Sequence, residues 1–249
     1  AGLLFAYLGP PPAPELPVWE PFTWENGFRE VVLSDVPCNW FQCQENSCDP
    51  VHFEWMHDNW SLRLKGQNGP YAAKHLKLKF EEFDHGFTYK RVREGQSEED
   101  RYWTVGRVAL WPNGFYLGNH FEWRVPIDDE NTLSVAWFFM RVPKGREPYV
   151  QGKVPTWWSP IKDDSGRWIS SHIMIQDFIA WVGQGTIADR TQERTSCLPK
   201  SNSAKLIGFS RRSTGRPSST PVRRWLPDPR ATSGSSPRTP RTRTSPTSS

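Results

Sequence analysis

Cys38-Asn39-Trp40-Phe41-Gln42-Cys43-Gln44-Glu45-Asn46-Ser47-Cys48-Asp49-Pro50-Val51-His52-Phe53-Glu54-Trp55-Met56-His57 is the stretch from which the rest of the chain is read. It sets Asp49, His52 and His57 close together among large apolar side chains. Polar groups in such surroundings are costly unless they bond one another or a metal, so the stretch reads as half of a metal site. On an ideal helix Asp49 and His52, three apart, share a face, whereas His52 and His57, five apart, lie about 140° out of line. A regular helix therefore cannot aim both rings at one ion. A local break or a five-residue π-type turn would bring them together, and such bulges are frequent at functional sites. The alternative is a buried helix whose two core histidines are satisfied by ordinary hydrogen bonds.

Outward from this stretch, Ser170 to Trp181 has helical spacing, with Ile173, Met174, Phe178 and Trp181 apolar and Asp177 set among them. That carboxylate needs something to neutralise it. Asp128, Asp129, Asp163 and Asp164 lie instead in polar turns where solvated acids are expected, and His172 reads as a surface residue at the helix start. Between the two segments the pattern is strand-like over His75 to Phe83, Gly86 to Arg93, Arg101 to Trp111, Phe115 to Val125 and Thr132 to Val142, with turn signals such as Pro112-Asn113-Gly114. Sequential strands joined by short turns imply an antiparallel sheet. Arg141 to Asp164, with four prolines, reads as a long surface excursion.

The spacing Asp-x2-His-x4-His, preceded by Asn39-Trp40-x-Gln42 and Glu45-Asn46, resembles the iron-binding helix of the Rieske non-heme iron aromatic-ring oxygenases. Gln176-Asp177-Phe178 and Gly185-Thr186-Ile187-Ala188-Asp189-Arg190-Thr191-Gln192-Glu193 match a second segment of that family, and Cys38-Asn39-Trp40 looks closest to its phthalate-type and aryl-ether O-demethylase branch. The resemblance implies an α+β helix-grip (START/Bet v 1-like) fold, a curved antiparallel sheet around a long C-terminal helix. It implies that His52, His57 and Asp177 hold a mononuclear Fe(II), with Glu45 and Asn46 orienting ligands through hydrogen bonds. Asp49 would be the carboxylate that links His52 to the [2Fe-2S] Rieske cluster of the next subunit in a head-to-tail homotrimer. The activity implied is ring hydroxylation or O-demethylation of an aromatic substrate with O2, electrons coming from a reductase or ferredoxin through that cluster.

The cluster motif itself, Cys-x-His followed by Cys-x2-His, does not occur in these 249 residues. The expected organisation is a Rieske-domain remnant and Pro-rich linker over 1–17, the iron domain over 18–195, and a Ser/Thr/Pro/Arg tail over 196–249 whose composition cannot bury a core. The reading therefore takes the chain as an N-terminally truncated piece, inactive by itself, and its tail as a basic disordered segment or the product of a shifted reading frame.

The totals narrow the class further. Fourteen Trp and fourteen Phe suggest a large apolar interior. Four cysteines without Cys-x2-Cys spacing form no disulfide framework, which points to a reduced, cytoplasmic protein. No apolar run approaches the length of a membrane span. The net charge of +4 is carried by Arg211 to Ser249, where nine Arg face the single acid Asp228, so residues 1–210 are net acidic and a nucleic-acid-binding body is excluded. Two other functions fit the same residues: a hydrolase using zinc with three protein ligands and an open position, and a helix-grip ligand-binding module without metal.

Overall fold

The computed structural model describes residues 2–189 and 191, apart from 8, 14 and 70–72; the expected tail over 196–249 lies outside them. A short helix α1 (Glu20–Thr23) leads into β1 (Gly27–Val36), followed by α2 (Trp40–Ser47), a π-helix (Phe53–Asn59) and α3 (Trp60–Leu64). Then come β2 (His75–Phe83), β3 (Gly86–Arg93), α4 (Arg101–Thr104), β4 (Arg107–Leu110), β5 (Gly114–Tyr116), β6 (His120–Pro126) and β7 (Thr132–Arg141). The described chain closes with β8 (Thr156–Trp158) and α5 (Ile173–Gly183). Eight strands form one sheet in the order β2-β3-β4-β5-β6-β7-β1-β8. With α2 resting on β5 and β6, and α5 on α2 and the π-helix, this is the α+β helix-grip arrangement.

Alternation along the strands assigns the two faces of the sheet. Phe87, Tyr89 and Arg91 of β3, Arg107 and Ala109 of β4, Phe115 of β5, and Glu122 and Arg124 of β6 share the face that looks toward the helices. Phe121 and Trp123 of β6 and Trp137 and Phe139 of β7 occupy the opposite face, where Trp19, Phe22 and Trp24 cover them. The centroid of the Phe22 ring lies 4.8 Å from that of Trp137 in an edge-to-face contact. Trp137 is fully buried, and emptying such a site costs on the order of 3–5 kcal/mol. A third cluster joins Val36, Cys38 and Cys43 to Ile175, Phe178 and Trp181, which fixes α5 against the start of α2.

Several strand boundaries differ from the sequence expectation. Arg101 to Trp111 is not one strand: its first residues form α4 after Asp100, and β4 begins at Arg107, beyond Gly106. Gly106 has φ +79°, and a Cβ there would meet the Tyr89 carbonyl oxygen at 2.5 Å, so this crossing needs glycine. Phe115 to Val125 divides into β5 and β6 around Gly118, which has φ +100°. The sheet is also not wholly antiparallel, because β8, inside the Pro-rich excursion, pairs parallel with β1. The C-terminal helix begins at Ile173 and runs eleven residues.

Candidate metal centre

The segment after α2 turns through Asp49 and Pro50 and then winds as a π-helix. Its i→i+5 pitch places residues five apart about one turn on from each other, so His52, at its N-cap, and His57 come onto one side with ring centroids 5.2 Å apart. Of the two solutions open to the sequence, the chain uses the π-type turn. Glu54, buried within it, accepts hydrogen bonds from the backbone N–H and ring Nδ1 of His75 and ties the π-helix to β2.

Asp177 arrives from α5, whose N-cap is His172; the exposed His172 ring accepts from the Met174 N–H. Asp177 Oδ1 lies 3.1 Å from His57 Nε2 and 3.5 Å from His52 Nε2. One ligand-capable atom from each of the three residues falls within 4.8 Å of the others.

Gln176, next to Asp177, settles which nitrogen of His57 carries its proton. Its Nε2 donates to the Ser170 carbonyl at 2.9 Å, so its Oε1 is the atom that faces His57 Nδ1 at 2.9 Å. An amide oxygen only accepts, so Nδ1 carries the hydrogen and the Nε2 lone pair of the neutral ring points at Asp177. Two lone pairs 3.1 Å apart repel unless a cation lies between them. Burial opposes the charged ring, but Asp177 and Gln176 outweigh it and raise the His57 pKa above the ordinary imidazole value. Burial lowers the pKa of His52, only partly opposed by Asp177 and Asp49.

Asp49 stands on the outer side of His52, its carboxylate 3.9 Å from His52 Nδ1 and 43% exposed. Its other oxygen accepts from the Val51 N–H at 2.8 Å. Asn46 lines the cavity beside the three residues, whereas Glu45 lies outside that lining and its carbonyl accepts from the Cys48 N–H. The hydrogen bond that orients His57 comes from Gln176. Sequence reasoning assigned Gln176 no such role, although it stands inside the Gln-Asp-Phe segment. Cys48 is fully buried beside Phe87, Tyr89 and Phe115, as a small apolar residue would be.

The cavity holds about 150 Å³. Phe53, Phe115, Leu117, Ile173 and Met174 give it an apolar wall, and His120, Glu122 and Arg124 a polar one. In that polar wall Glu122 accepts from His120 Nε2 at 3.1 Å and from Arg124 Nη2, which also donates to Ser47 Oγ at 3.0 Å.

The chain is 62% identical over 211 residues to the oxygenase subunit of 5,5'-dehydrodivanillate O-demethylase from a Sphingobium strain, a match covering 85% of this chain and 49% of the relative. The chain is a homologue of oxygenase subunits. Among these oxygenase subunits it is also 27% identical to that of phthalate 4,5-dioxygenase from Pseudomonas putida, over 78% of this chain and 53% of the relative. The alpha subunit of phenoxybenzoate dioxygenase from Ectopseudomonas oleovorans is 26% identical, over 77% and 50% respectively. This oxygenase homologue thus spans about half the length of the curated relatives it matches. No protein-family model matches it. Among its described residues no helix is long and apolar enough to cross a membrane.

Proposed function

We propose that the chain is the oxygen-activating domain of an aromatic O-demethylase, with a ferrous ion held by His52 Nε2, His57 Nε2 and the Asp177 carboxylate. The convergence of these three atoms carries the reading. Asp177 Oδ1 is buried without a hydrogen bond of normal geometry, and a cation between it and the two rings removes that cost. Two imidazoles and one carboxylate that leave further positions open suit non-heme Fe(II). When bound there, the iron would supply the activation of dioxygen beside the organic substrate.

The chain's own residues do the rest. Gln176 holds the His57 proton on Nδ1 and so keeps Nε2 available as a donor. Asp49 stands beside the His52 nitrogen that faces away from the ion, which fits a carboxylate relaying electrons from the Rieske cluster of a neighbouring subunit in a homotrimer. The apolar wall keeps bulk water from the reacting ring. Of the reactions open to such a site, removal of a methyl group from an aryl ether is favoured by the 62% identity to an O-demethylase subunit. Ring hydroxylation is the second reading, supported by the two dioxygenase relatives. The same relatives weigh against a zinc hydrolase and against a binding module without metal.

The test is anaerobic reconstitution of the chain with Fe(II), followed by metal analysis. About one iron per chain is expected, with nearly complete loss in His52→Ala, His57→Ala and Asp177→Ala and near-full retention in Asp49→Ala. Iron retained by Asp177→Ala would remove that residue from the ligand set.

A further inference from the structure

The π-helix that brings His52 and His57 together is an uncommon form, since such turns occur mostly as single-turn bulges inside α-helices. Here it runs seven residues, Phe53–Asn59. Its buried side chains are Glu54, His57 and Asn59, whereas Trp55 is 62% exposed. Apolar burial therefore does little to select this winding, and the buried polar groups need partners. Glu54 and Asp58, four apart, are about one π turn from each other, so both can reach the same neighbour. Glu54 accepts from the backbone N–H and ring Nδ1 of His75, the first residue of β2. Asp58 accepts from Nη2 of Arg93, the last residue of β3.

Those two partners face each other across the hairpin: β2 and β3 pair antiparallel with His75 opposite Arg93. The register slips by one residue directly after, with Lys77 opposite Val92, a bulge of the kind that re-aims a side chain beside a functional site. The His75 side chain is only 5% exposed. Arg93 is fixed from behind by a 3.1 Å donation from Nε to the Ala73 carbonyl, and the guanidinium carbons of Arg91 and Arg93 lie 4.7 and 5.9 Å from the ring centre of Phe53. We propose that Glu54 with His75, and Asp58 with Arg93, form a two-point brace at the open end of the β2–β3 hairpin that holds Phe53–Asn59 in the π form. All four are positioning residues. Without the brace the segment relaxes toward an α-helix, in which residues five apart diverge by about 140°, and His57 leaves the side it shares with His52. That this side holds iron rests on the function proposed above, but the brace acts in the metal-free chain.

Hydrogen exchange followed by mass spectrometry on the metal-free full chain tests the brace separately from metal binding. In Glu54→Ala and in Asp58→Ala the Phe53–Asn59 amides should exchange about tenfold faster or more, as the loss of hydrogen bonds to a charged group implies, with β1 and β7 unchanged. Glu54→Gln keeps an acceptor oxygen and should recover much of the protection. Lys77→Ala, which breaks instead the Lys77–Glu98 pair of the same hairpin, should leave the π-helix at the wild-type rate. Co(II) then reads the ligand geometry. Glu54→Ala should bind it about 10–100-fold more weakly, the usual effect of removing a support behind a metal ligand, and its visible d–d bands should shift, with Glu54→Gln restoring both. Should Glu54→Ala not fold, Asp58→Ala decides, because the Asp58 side chain is already 34% exposed. Unchanged exchange over Phe53–Asn59 in the alanine variants, or acceleration spread evenly into β1 and β7, would overturn the proposal. Localised acceleration in a chain that binds no Co(II) would leave the brace standing and sink only the metal reading.

Discussion

Gln176 occupies a position where one amide decides the state of a neighbouring ring. Its Nε2 is committed to the Ser170 carbonyl and its Oε1 to His57 Nδ1, so an apolar replacement frees the ring to rotate or change tautomer. Gln176→Leu should lower Fe(II) affinity by about 10–100-fold, the usual effect of removing a partner behind a metal ligand. Competition with a chelator measures this, and an unchanged affinity would mean that packing alone orients His57. The ligand candidates themselves were legible in the sequence because a carboxylate or imidazole among apolar neighbours is a local anomaly. Gln176 carried no such signal, since a buried amide is neutral and its partner lies 119 positions earlier in the chain.

At the scale of elements, the same division holds between what is local and what the tertiary structure imposes. The five-residue spacing of the histidines ruled out a regular α-helix and left a local break or a π-type turn, of which the chain has the turn. The short helix α4 was hidden: Tyr102, Trp103 and Thr104 favour strands, yet here they follow Asp100 in a turn whose hydrogen bonds close on Asp100 and Arg101. The parallel β8 could not be seen in Thr156-Trp157-Trp158, because its pairing depends on how a Pro-rich excursion returns to β1. α2 is set more locally. Asn39 caps it by accepting from the Phe41 N–H at 2.9 Å, and its amide also donates to the Asp129 carbonyl at 2.7 Å. Asn39→Ala should cost about 1–2 kcal/mol. Urea denaturation would measure the loss, and a change under a few tenths would show that the α2 contacts with the sheet make the cap redundant.

For the whole molecule, the polar wall of the inner cavity links the site to acid stability. Burial favours the neutral form of Glu122, but Arg124 and His120 outweigh it and hold its pKa down at about 2. A carboxylate whose folded pKa is depressed stabilises the fold fully above its unfolded value and loses that contribution as pH falls toward the folded one. The window here runs from about pH 4.5 down to about pH 2. Glu122→Gln leaves Arg124 buried without its counter-charge and should cost about 3–5 kcal/mol at pH 7. The gap to wild type should narrow as the pH falls below 4.5, and parallel stability curves from about pH 7 to about pH 3 would refute the assignment. The two-sided cover of the sheet has a kinetic consequence as well. β6 lies between α2 on one side and the Trp19, Phe22 and Trp24 layer on the other, and β7 beside it is an interior strand whose Trp137 is fully buried, whereas β2 is an edge strand with most of its side chains exposed. Amide hydrogens should therefore exchange first from β2 and last from β7. Iron should slow exchange in Phe53–Asn59 while leaving the already slow β7 amides unchanged, so that the metal site reports its own occupancy as a local rate.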